Sequence, residues 1–270
     1  MVSVGRLITA VVTKFGFCSQ KAAVRIASET GMKMIDESRR LGRNLNTSEV
    51  ESIFKANVPR GIRPKILTSQ EETAKQMIER GMSEEKAREF IANENVLGCA
   101  LTMGRKKAPI FVKTDAPILE QIEQVGGDSA AFSVSTITHE LEHALEYNGR
   151  LSKTLQRRFI YPIKLAFKKD KKAYIDGLNA ENLKFQIAMQ EHLPSVPEQE
   201  FEATARGMIE NLSKGSRKLL KLYKGSLKLE IPAYTAGNNV EKYVGEGSIP
   251  QFQGIVGGIY RKVAEILKDM

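Results

Sequence analysis

A chain of 270 residues with 41% hydrophobic and 27% charged residues can bury a real core, and it is too apolar to read as disordered. No run reaches the roughly eighteen uncharged apolar residues that a membrane helix needs, and a net charge of +9 favours acidic or phosphate-rich partners. Two cysteines, Cys18 and Cys99, are too few for a disulfide framework or a thiolate zinc site, so any metal must rest on imidazole and carboxylate.

Residues 3 to 40 carry apolar positions at helical spacing, among them Val4, Leu7, Ile8, Val11, Ala22, Ile26 and Met34, and the basic opening reads as an amphipathic first helix. No small-residue cleavage site follows it, so a cytoplasmic location is expected. Ser48 with Glu51 forms a capping box for a short helix over 46–57, which Val58-Pro59 ends; Arg60 to Pro64 is a loop. Ser69 with Glu72, and then Ser83, start helices that run to Arg80 and to about Ala92. Residues 1–94 thus form an N-terminal helical layer, and residues 95–270 hold the chemistry.

The texture changes at Asn95. Val96 to Met103 and Ala108 to Lys113 are apolar runs of strand length around the polar turn Gly104 to Lys107, which predicts a β-hairpin. A short helix starts near Pro117 and runs to Gln124. After the caps offered by Gly126 to Ser129 comes a helix containing His139-Glu140-Leu141-Glu142-His143, the pattern H-E-x-x-H, in a chain with three histidines; Asn148-Gly149 is its expected stop. Residues four apart share a helix face, so His139 and His143 can aim ring nitrogens at one Zn²⁺. Glu140 then flanks the open metal position, where a carboxylate can take a proton from water and pass it to a leaving amine. Val134, Ile137, Leu141, Ala144 and Leu145 fall on the other side, giving the helix a core face and a ligand face.

Hairpin followed by H-E-x-x-H helix resembles the core of the zincin metallopeptidases, over about residues 96 to 149. The resemblance implies a zinc-dependent peptidase with Glu140 as general base and acid, and an outer strand, 96–103 or 109–113, that binds peptide backbone by strand addition. The metzincin continuation would need a third histidine at position 149, which is Gly149. A glutamate on a later helix, as in the gluzincin branch, is what remains.

Two segments share the pattern E-x-x-A-x-x-x-G: Glu200 to Gly207, and Glu230 to Gly237. The first is similar to the E-x-E-A-D segment of CaaX-prenyl-protease-like zincins, which implies Glu200 as the ligand, although Thr204 stands where the supporting Asp should be. In the second, Pro232 forces a helix start or a kink beside Glu230, while Tyr234 would offer a hydroxyl to an oxyanion. Glu200 is the leading candidate, Glu230 the alternative, and Glu202 or no protein ligand the remainder. Glu146, three residues beyond His143, is a candidate for supporting the pair, and His192 a candidate for binding the oxyanion.

Arg150 to Lys172 holds nine basic residues against one acid, Asp170. This block would suit an acidic or phosphate-rich partner, and it supplies the alternative function: a basic helical protein that binds nucleic acid or anionic membrane, with the metal helix structural or inactive. The glycine-rich run Gln253 to Ile259 reads as a flexible approach to a final helix over 259–269. The expected fold is α+β and mostly helical.

Overall fold

Ser19 accepts the N–H of Ala22 and so opens α1 (Gln20–Leu41), which Gly42 closes in the left-handed region at φ 64°. In the computed structural model, which describes residues 18–67, 69–93, 98–102, 107–113, 117–151, 171–245 and 251–270, several other helix starts follow the same capping chemistry. α2 (Thr47–Asn57) opens two residues earlier than Ser48–Glu51 predicts: Asn46 Oδ1 accepts Glu49 N–H at 3.0 Å, and Glu49 Oε2 accepts Asn46 N–H at 2.8 Å. Glu49 also accepts two guanidinium bonds from Arg43, which ties the box to the preceding loop. Ser69 and Ser83 cap α3 (Gln70–Glu79) and α4 (Glu84–Ala92), as the spacing predicts.

Among the described residues the sheet has three short strands, β1 (Ile66–Leu67), β2 (Gly98–Ala100) and β3 (Ile110–Val112), in the order β1-β3-β2. β2 and β3 are antiparallel, with Gly98 opposite Val112 and Ala100 opposite Ile110, which is the ladder of the expected hairpin. Most of the turn between them lies outside the described residues. β1 joins β3 in parallel, Ile66 opposite Ile110; two residues are too short for a sequence pattern to announce.

The remaining helices are α5 (Pro117–Gln124), α6 (Ser129–Leu151), α7 (Lys171–His192), α8 (Glu198–Ser213), α9 (Arg217–Val244) and α10 (Phe252–Lys268). The protein is mostly helical with a small mixed sheet, the α+β class expected. Among the described residues no helix is long and apolar enough to cross a membrane. The side chains of the basic block Arg150 to Lys172 and the segment 3–17 lie outside the described residues.

One core joins α1 and α2 to the sheet, α5, α6 and the C-terminal half of α9 (Ala236, Val240); a second joins α7, α8, α10 and the N-terminal half of α9. α9 therefore bridges both, and its middle crosses α6 where they meet. α1 packs directly on α6 and α9, so the N-terminal helices share the first core with the metal helix.

Three local expectations are overturned by packing. α6 does not stop at Asn148-Gly149. The Asn148 side chain faces inward, accepting Ala108 N–H at 2.7 Å and donating to Ile62 O at 2.9 Å, and Gly149 lies so close to Cys18 that a Cβ would stand 2.3 Å from its Cβ. α9 continues through Pro232 and does not start there. The glycine-rich run is helical, the first two turns of α10: a Cβ on Gly254 would meet Asn238, and one on Gly257 would meet Tyr234 at 2.9 Å, so these glycines let α10 lie close on α9.

Candidate metal centre

Asp128 caps α6, its Oδ1 accepting Ala131 N–H at 2.8 Å, and the helix is then long enough to carry both histidines well inside its ends. Val134, Ile137, Leu141, Ala144 and Leu145 are all buried in the first core, as the periodicity requires. The opposite face is also covered. His139 is only 7% exposed, because α9 and α10 lie over that side of α6; the polar face of the helix is a second interior.

His139 Nε2 and His143 Nε2 stand 3.2 Å apart, and Glu230 Oε2 lies 3.4 Å from each. Among the described residues these three form the group whose donor atoms converge as a metal site requires. Glu230, rather than Glu200, is thus the carboxylate brought to the pair. Glu200 is exposed in the first turn of α8, since that helix buries Phe201, Ala205 and Ile209 and turns Glu200 and Glu202 outward. Pro232 argued against Glu230 only locally; the continuous α9 puts Glu230, Tyr234, Gly237 and Glu241 on one stripe facing α6 and α10.

The electrostatics around the triangle favour positive charge. Burial alone would push the His143 imidazole down, but Glu230 beside it, with Glu140 and Glu142 nearby, takes it up to about 10. Burial would raise the Glu230 carboxyl, yet His143 and His139 hold it well below the usual carboxylate range. An ionised carboxylate between two imidazoles needs a cation there, either a proton on the imidazoles or a metal ion.

Each member is held from behind. Gln186 on α7 donates to Glu230 Oε1 at 3.1 Å, leaving Oε2 for the histidines, and also donates to Ser226 Oγ at 3.2 Å. One turn along α7, Gln190 donates to the hydroxyls of Tyr234 (3.1 Å) and Tyr260 (3.0 Å). The Tyr234 ring stands edge-on against His139 at 4.5 Å between centroids, so this residue, expected at an oxyanion, is buried as the wall behind a histidine. Burial, with Tyr260 and Glu230 nearby, pushes its hydroxyl well above the usual range. Gln253 at the start of α10 accepts from His139 Nδ1 at 3.0 Å.

Glu140 turns toward the sheet. Its Oε2 accepts the backbone N–H of Ala100 at 2.5 Å, and Gly98 lies against its stem, where a Cβ would stand 3.4 Å from Glu140 Cγ. Leu101, the next residue, turns its N–H to Pro109 on the β3 side at 3.0 Å, so by strand alternation Ala100 N–H points to the free edge of β2. β2 is therefore the outer strand beside the metal helix. Glu142 is fully buried with a carboxylate oxygen 3.9 Å from His143 Nδ1. Glu146, also buried, faces α1, where Gln20 donates to it at 3.4 Å; His192 is exposed at the end of α7. Neither is part of the cluster.

Comparisons with protein-family models, with curated proteins and with solved structures find no match to this chain. Gln186, Gln190 and Gln253 escape a reading of the sequence because amides carry no motif. The one signal present is the i, i+4 spacing of Gln186 and Gln190, the same spacing as the two histidines.

Proposed function

We propose that this chain is a zinc-dependent peptidase of the zincin kind, with His139, His143 and Glu230 as the metal ligands and Glu140 as the general base. The observation that carries the reading is the triangle of 3.2, 3.4 and 3.4 Å between two Nε2 atoms and one carboxylate oxygen. Tetrahedral bonds of about 2.0–2.1 Å separate neighbouring ligand atoms by roughly 3.3 Å, and the agreement of the three spacings with that value supports zinc. Two imidazoles and one carboxylate also make the donor set of a catalytic site that keeps one position open.

Bound there, zinc would supply a Lewis acid and water activated at neutral pH. The chain's own residues supply the rest. Glu140 follows His139 directly and reaches β2 through Ala100 N–H, which supports giving its carboxylate the task of taking a proton from the attacking water and returning it to the departing amine nitrogen. β2 stands at the end of the strand order, and an edge strand of this kind is where an extended peptide can add, which supports a peptide as the substrate class. Gln186 and Gln253 keep Glu230 and His139 in the orientation the ligands need.

The decisive experiment is Glu140→Gln, assayed for zinc content and for cleavage of denatured casein and a fluorogenic peptide pool. Zinc retained at one per chain with hydrolysis reduced by about a hundredfold or more supports the assignment. Hydrolysis at the wild-type rate would remove it.

A further inference from the structure

We infer that α10 is a working part of the metal centre, with Gln253 as the positioning residue that sets the tautomer and orientation of His139; this rests on the zinc reading above. Gln253 Oε1 lies 3.0 Å from His139 Nδ1, and an amide oxygen only accepts, so Nδ1 carries the proton and Nε2 presents its lone pair to the triangle. Were the amide reversed, its NH₂ would drive the proton to Nε2, where it would oppose a cation.

The place of that side chain is built in by α9. Gly237 has no Cβ, and one there would stand 2.8 Å from both Cγ and Oε1 of Gln253, so the side chain lies along the bare backbone of α9 with 3% exposure. Its main chain is anchored by the same helix. The buried carboxylate of Glu241 accepts Gln253 N–H at 2.8 Å and Gly254 N–H at 3.0 Å, satisfying two of the N–H groups that the start of α10 leaves without partners. α9 thus serves the centre twice, through Glu230 directly and through Glu241, which holds the helix that carries Gln253.

Two consequences separate this role from simple packing. Withdrawing the acceptor should weaken metal binding even where the fold is kept, and metal should in return tighten the docking of α10, because coupling between two sites is reciprocal. The test uses the full chain and zinc alone, titrated against a chromophoric chelator, for wild type, Gln253→Leu, Gln253→Asn and Gln253→Glu. Leu fills the volume and Asn keeps an amide but falls short; both lose the acceptor, and Glu restores it.

The expected result is zinc affinity lower by about 10- to 100-fold in Gln253→Leu and Gln253→Asn, and wild-type or tighter in Gln253→Glu. Zinc should also slow amide exchange over residues 252–258 in the wild type and do so less in the two weakened variants. Affinity within about twofold of wild type in either acceptor-less variant that keeps the wild-type metal-free melting temperature would overturn the inference and leave the zinc reading standing. If the wild type itself takes up no zinc, both fall together. Should Gln253→Leu not fold, Gln253→Asn against Gln253→Glu decides by the same criterion.

Discussion

Gln20 on α1 stands in for the N–H that Pro232 lacks on α9. Pro232 cannot donate to Lys228 O one turn back, and Gln20 Nε2 donates to that carbonyl instead, at 3.0 Å. The helix start expected from the sequence does not occur: Glu230 stays on a continuous helix whose freed carbonyl is covered by a residue more than two hundred positions away. Gln20→Ala should cost about 1 kcal/mol in urea unfolding, the usual worth of one such bond. In a Pro232→Ala background, where position 232 donates for itself, the cost should shrink to a few tenths. Equal costs in both backgrounds would show that Gln20 does nothing for this carbonyl.

The two look-alike glutamates should separate cleanly. After dialysis against buffer with trace chelator, Glu200→Ala should retain zinc like the wild type, and Glu230→Ala should bind it at least about a hundredfold more weakly, having lost one of three ligands. Zinc content by mass spectrometry reads both, and loss of metal in Glu200→Ala alone would reverse the assignment.

Ala100→Pro removes one N–H that faces the free edge of β2 and touches no ladder bond to β3, so the sheet should survive it. Glu140 would lose its backbone partner. Peptide hydrolysis should fall by about tenfold or more with zinc content unchanged, and a wild-type rate would show that the Ala100 bond does not orient the base.

Cys18 gives a pH prediction. Burial pushes its thiol up, Glu142 adds to this and Arg25 opposes it, to about 12. The folded protein therefore holds this proton until about pH 12, whereas the unfolded chain releases it near 9.0, so stability from this group falls as pH rises between those values. From pH 8 to pH 10 the wild type should lose about 1 kcal/mol more than Cys18→Ala, read from urea midpoints. Native Cys18 should also resist alkylation at pH 8.5 and react once denatured.

Gly31 marks where α1 crosses α6 and α9. A Cβ there would stand 2.3 Å from Thr138 Oγ1 and 2.5 Å from Val240 Cγ2. Alanine gains up to about 1 kcal/mol of helix propensity over glycine, but overpacking a closed core costs about 1–3 kcal/mol, so Gly31→Ala should lower the melting temperature. A rise in melting temperature would mean the three helices can separate without penalty.

What the residues determined by themselves is local. His139, Glu140 and His143 occupy one helix because spacing and amphipathicity act within a turn or two, and the core face of α6, the caps at Ser69, Ser83 and Asp128 and the β2–β3 ladder follow from the same short-range rules. The same rules misjudged Asn148-Gly149 and Gln253 to Ile259, since a glycine that lets another chain come close looks, in sequence, like one that ends a helix or loosens it.

The choice between Glu200 and Glu230 belonged to the tertiary structure alone. Both sit on helices, both begin the same pattern, and Pro232 weighs locally against the residue that joins the histidines. What decides is which helix crosses α6: α9 does, because it runs unbroken through both cores with Gln20 covering the carbonyl at its proline. Three donor atoms that converge to within 3.4 Å are a property of helices packed at fixed distances, and no spacing along the chain encodes such distances directly.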